Sequence, residues 1–68
     1  MSEGKIVRLV RDRGFGFIRM ESGSDIFFHR SATEVPFEEL HEGEPVTFDV
    51  EPDTRGRGNR AVHVRPAA

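Results

Sequence analysis

The sequence predicts an all-β fold, a small five-stranded antiparallel barrel that is closed or partly open. Three observations lead there. The chain has 68 residues, enough for one domain and too few to bury a large core. Apolar and polar residues alternate over short, strand-length runs set apart by clusters of Gly, Ser, Asp and Asn. There is no internal repeat and no long stretch with helical spacing. The chain also has no Cys, so its stability, expected to be modest, rests on packing without a disulfide framework.

The elements follow in order. Residues 5–11 (Lys-Ile-Val-Arg-Leu-Val-Arg) are rich in β-branched and aliphatic side chains and form a first strand. The adjacent pairs Ile6–Val7 and Leu9–Val10 break its alternation, and a bulge or bend accounts for that. Asp12, Arg13 and Gly14 make a turn, and a second strand runs from Phe15 to about Met20. Residues 21–24 turn again into a third strand, 25–29. Ser31 opens one short helical turn, and Phe37 opens another after Pro36. In the fourth strand Val46, Phe48 and Val50 point inward and alternate with Thr47, Asp49 and Glu51. Residues 52–59 contain Arg55-Gly56-Arg57-Gly58 and read as a flexible loop. The fifth strand is 61–64, with Val62 and Val64 inward, and a short tail follows.

Strand side chains alternate in direction. Phe15, Phe17 and Arg19 therefore share one face of the second strand, and Phe27 and His29 share one face of the third. If these faces coincide, four flat rings lie on one surface, while Ile18, Met20, Ile26 and Phe28 fill the other. One set suffices for a core. Phe15 and Phe17 are interleaved with glycines, which permit close approach, and are flanked by Arg13 and Arg19. Solvent-facing rings beside cations are the arrangement that stacks bases and holds phosphates.

The net charge of −2 argues against a polyanionic partner until its distribution is considered. Between Ser31 and Thr54 lie eight of the twelve acidic residues and no Lys or Arg; all ten cations and the other four acids lie outside, a local net charge of +6. The cationic part coincides with the ring-bearing stretches, so a nearly neutral chain can present one cationic face. The N-terminus lacks the apolar run of a signal peptide, and no apolar stretch is long enough to span a membrane, so a cytoplasmic location is expected.

Residues 13–18 (Arg-Gly-Phe-Gly-Phe-Ile) and 26–30 (Ile-Phe-Phe-His-Arg) resemble the paired ribonucleoprotein motifs of the cold-shock domain, Lys-Gly-Phe-Gly-Phe-Ile and Val-Phe-Val-His-Phe. Gly4-Lys5-Ile6, Asp25, Ser31-Ala32, Glu42-Gly43 and Val64 also fit, so the resemblance runs from about Gly4 to Val64. It implies a five-stranded barrel of the oligonucleotide-binding (OB-fold) type. It also implies binding of single-stranded RNA and DNA, as an RNA chaperone or a regulator of transcription and translation. The chain departs from the family at Arg8, where a Trp is usual, at Leu9 and Val10, where Phe and Asn are usual, and at Arg30, where a third aromatic is usual. Guanidinium groups thus replace two rings, and Arg itself can stack and contact phosphate.

On this basis Phe15, Phe17 and Phe27 are expected to stack bases, and His29 to stack or hydrogen-bond a base edge. Phe37 extends the platform from its loop or plugs the barrel end. Lys5, Arg8, Arg13, Arg30, Arg57 and Arg60 contact phosphates or stack, and Asp25 accepts a hydrogen bond from a base or starts its strand. Neither an enzyme nor a metal or cofactor site is expected: His29, His41 and His63 are dispersed, and no Ser has a plausible His–carboxylate arrangement. A monomer or weak dimer without a small-molecule substrate is expected. The competing function is a protein-interaction module that uses the Phe face or the acidic segment.

Overall fold

In the computed structural model, which describes residues 2–52 and 58–67, five strands close into a barrel in the order β1-β2-β3-β5-β4. The strands are β1 (Ser2–Val10), β2 (Phe15–Met20), β3 (Asp25–His29), β4 (Pro45–Pro52) and β5 (Asn59–Pro66). All pairings are antiparallel except β3 with β5, which is parallel and touches at Phe27 and Arg60. Short 3₁₀ turns at Arg30–Ala32 and Phe37–Glu39 fill the long β3–β4 connection. The loop expected at 52–59 lies largely outside the described residues, and Arg57 lies outside them entirely.

The broken alternation of β1 resolves as a bulge. Ile6 faces Ile18 and Arg8 faces Phe17, so Val7 is one extra residue against adjacent partners. The insertion turns Ile6 inward and Arg8 outward. Ile6, Ile18 and Ile26 then make one inward rung across three strands, with Phe28, Phe48, Val46, Leu40 and Val64 packed about them.

Gly16 lies inside, and a Cβ there would sit 2.7 Å from the Arg8 carbonyl oxygen and 2.8 Å from the Phe28 ring. The close approach its missing side chain permits is therefore that of the core, not of a ligand.

Two inward assignments change. Val50 is 38% exposed, because β1 meets β4 only over Pro45–Phe48 and leaves the inner side of Val50 uncovered. In β5 the buried residues are Ala61 and Val64, and Val62 is only half-buried. Between the pairs Thr47–Arg65 and Asp49–Val62, β5 carries one residue more than β4, and His63 in this bulge has φ 54°. That left-handed residue resets the alternation.

Arg11 ties the β3–β4 connection to the barrel by donating to the carbonyls of Glu38 at 3.2 Å and Leu40 at 2.7 Å. Among the described residues, no helix is long and apolar enough to cross a membrane.

Candidate nucleic-acid interface

The register places Phe15 opposite His29, Phe17 opposite Phe27, and Arg19 opposite Asp25. Directly opposed residues share a face, so the four expected rings lie on one outer surface. On the far side of β2, Arg8 faces Phe17 and Lys5 faces Arg19; on the far side of β3, Arg60 faces Phe27. One cross-strand row therefore reads Arg8, Phe17, Phe27, Arg60: two rings between two guanidinium groups.

The three Phe rings form a cluster, with centroids 5.9 Å apart for Phe15–Phe17, 5.5 Å for Phe15–Phe27 and 6.0 Å for Phe17–Phe27. Each is half-buried: its neighbours hold its orientation and part of the ring stays open to solvent. They stay on the surface because Ile18, Ile26 and Phe28, at the alternate positions, already fill the core.

His29 is fixed by the turn that follows it. Its Nδ1 accepts from the Ser31 backbone N–H at 3.1 Å and lies 2.9 Å from Ser31 Oγ. A backbone N–H can only donate, so in the neutral ring the proton sits on Nε2. His29 thus presents a ring plane and an Nε2–H donor on the exposed face.

Arg30 stands at the Phe15 end of this surface. Its backbone N–H donates to the Gly14 carbonyl at 2.8 Å, and its aliphatic stem lies over Gly14, where a Cβ would come within 2.8 Å of Arg30 Cδ. Gly14 also has φ 75°, so both the turn and the contact call for glycine. Arg13 and Lys5 are exposed. Asp25, exposed at the start of β3, accepts from Arg19 Nε at 2.9 Å, so its carboxylate is shared with a neighbouring cation. Arg60 lies 3.6 Å from Glu51.

Phe37 is corrected. It is 6% exposed, its ring centroid lies 6.1 Å from that of Phe28, and it belongs to the core. The 3₁₀ turn after Pro36 drives the ring into the barrel end, leaving no open face for a base.

Charge separation along the chain is incomplete in space. Glu34 and Glu51 share a groove with Phe27, His29 and Arg60. Glu34 accepts from Arg65 Nη1 at 2.9 Å and pairs with His63 Nδ1 at 3.0 Å, a cluster that the sequence does not announce. Hydrogen bonds from Arg65 and then His63 hold its carboxyl below the ordinary value of 4.5. A depressed carboxyl pKa adds stability above the unfolded value and loses it as pH falls through the folded value. Glu34→Gln should therefore lower the melting temperature slightly at neutral pH, and the difference from the parent should vanish on acidification below the ordinary carboxylate range. Melting curves over a pH series measure this. Among the described residues, no group of three or more His, Cys, Asp or Glu is placed to hold a metal ion.

The chain matches the "'Cold-shock' DNA-binding domain" family over residues 2–67. It is 44% identical to Cold shock protein CspC of Bacillus subtilis over 98% of this chain and 100% of that protein. It is also 44% identical to Cold shock protein 1 of Lactiplantibacillus plantarum, over 97% of this chain and 98% of that protein. A Major cold shock protein of Streptococcus pyogenes serotype M6 is 44% identical over 82% of this chain and 85% of its own length.

Proposed function

The chain belongs to the cold-shock DNA-binding domain family, and from that premise we propose that it binds single-stranded RNA and DNA on the outer face of β1, β2 and β3 and the adjoining start of β5. It does so with little sequence preference, as an RNA chaperone or a regulator of transcription and translation. The observation that carries this reading is the row Arg8, Phe17, Phe27, Arg60, with Phe15 and His29 beside it. Rings stack any base, and the flanking cations hold the phosphates on either side. The protein works in the cytoplasm as a monomer or weak dimer, without a cofactor and without catalysis.

Rings on an open sheet need unstacked bases. A single strand should therefore bind more tightly than the duplex of the same sequence at moderate salt, and affinity should fall steeply as salt is raised. Equal affinity for both would reduce the interaction to charge attraction and sink the proposal.

Arg8 and Arg30 stand at the edges of the ring surface, and each offers a planar group as well as a charge. Arg8→Lys and Arg30→Lys keep the charge and lose the plane, so each should weaken binding while leaving the salt slope nearly unchanged. The Ala variants should weaken it further and make the slope shallower by about 0.7 for each phosphate no longer neutralised. Affinity for one oligonucleotide at several salt concentrations separates these outcomes. Lys variants that match the parent throughout would reduce both residues to point charges.

A further inference from the structure

We propose that the groove between β3 and β5 is a guanine subsite, in which a strand lying on the rings presents one guanine to the Glu34 carboxylate. The proposal rests on the reading of the ring face as a single-strand platform. The groove encloses about 840 Å³ and is lined by Phe27, His29, Glu34, Arg60, Val62 and His63, among others. That is ample for a nucleotide, since small-ligand sites occupy about 300–1,000 Å³. It begins at two rings of the platform, so a strand stacked there leads into it. Val62, half-buried because of the β5 bulge, offers an apolar surface for a base plane, and exposed Arg60 offers a cation for the phosphate.

The selective group is Glu34. His63 Nδ1 meets Oε2 at 3.0 Å and Arg65 Nη1 meets Oε1 at 2.9 Å, so each carboxylate oxygen is held by a partner of its own. Each oxygen keeps a further lone pair, and 41% of the side chain is exposed. The imidazole reaches Glu34 from a residue with φ 54°, a conformation uncommon for non-glycine residues that clusters at functional sites. A fixed carboxylate offers two adjacent acceptors. Guanine alone among the common bases answers with two adjacent donors, N1–H and the 2-amino group. Thymine and uracil flank their single N–H with carbonyl oxygens, and adenine and cytosine set a ring acceptor beside their amino group. Those arrangements bring lone pairs against the carboxylate.

The test walks one guanosine through a thymidine heptamer and measures affinity at each position. One register should bind about five- to tenfold more tightly than the all-thymidine strand, toward the low end for a bidentate base contact because the site is open. Inosine, which lacks the 2-amino group, should lose most of that gain when placed in the same register, and this comparison leaves the protein unaltered. Glu34→Gln should abolish the preference and keep affinity for the all-thymidine strand within twofold.

No favoured register, or a preference that survives both inosine and Glu34→Gln, overturns the subsite. Guanosine 5′-monophosphate binding as well as the guanosine-containing strand, with the strand gaining nothing over thymidine, would assign the groove to free nucleotide and overturn the in-strand proposal. Failure of the parent to bind the all-thymidine strand would instead refute the platform itself, so the two failures are distinguishable.

Discussion

Phe28→Ala should cost about 3–5 kcal/mol of stability, the range for truncating a buried aromatic. The side chain is fully buried, lies among the largest in the core, packs near Phe37 and closes over Gly16. At roughly 0.05–0.15 kcal/mol per residue, a 68-residue domain holds only about 3–10 kcal/mol in total. The melting temperature should fall by roughly 12–40 °C, or the cooperative transition should disappear. Thermal denaturation followed by circular dichroism measures this. A variant that melts within a few degrees of the parent would mean that Phe28 does not anchor the core.

The neighbouring residue gives the opposite phenotype. Phe27→Ala and Phe17→Ala should each weaken single-strand binding by about 1–3 kcal/mol, or roughly 5- to 150-fold, while the chain stays folded. Phe15→Ala should fall toward the lower end, because Phe17 and Phe27 occupy the middle of the row between Arg8 and Arg60 and Phe15 lies beside it. The half-buried rings contact one another across the outer face, so truncating them opens no enclosed cavity in the core. Fluorescence anisotropy with a labelled oligonucleotide, beside a melting curve for each variant, separates binding from folding. Variants that bind like the parent would remove the rings from the site, and variants that unfold would assign them to the core.

The contrast between adjacent residues follows from strand alternation, the feature most legible in the sequence. β2 and β3 are readable because glycine-containing turns precede each of them and because Ile18, Ile26 and Phe28 alternate strictly with Phe17, Phe27 and His29. The β1 bulge is readable from two adjacent apolar pairs. The β5 bulge is not, since histidine is enriched at left-handed positions too weakly for one residue to mark a bulge, and alternation alone puts Val62 inward in place of Ala61. Phe37 is ambiguous because a loop aromatic after proline fits a platform or a plug equally well in sequence. The neighbours of Arg60, and the cluster of Glu34 with His63 and Arg65, depend on contacts between segments about thirty residues apart, which local periodicity cannot supply.

The most direct measurement is a titration of the protein with a short single-stranded oligothymidine, followed by backbone amide shifts. The largest changes should fall on β2 and β3 around Phe15, Phe17, Phe27 and His29, with further changes at Arg8, Arg30 and Arg60. Changes confined to the acidic segment around residues 38–44, or no changes at millimolar oligonucleotide, would contradict a single-strand platform on this face.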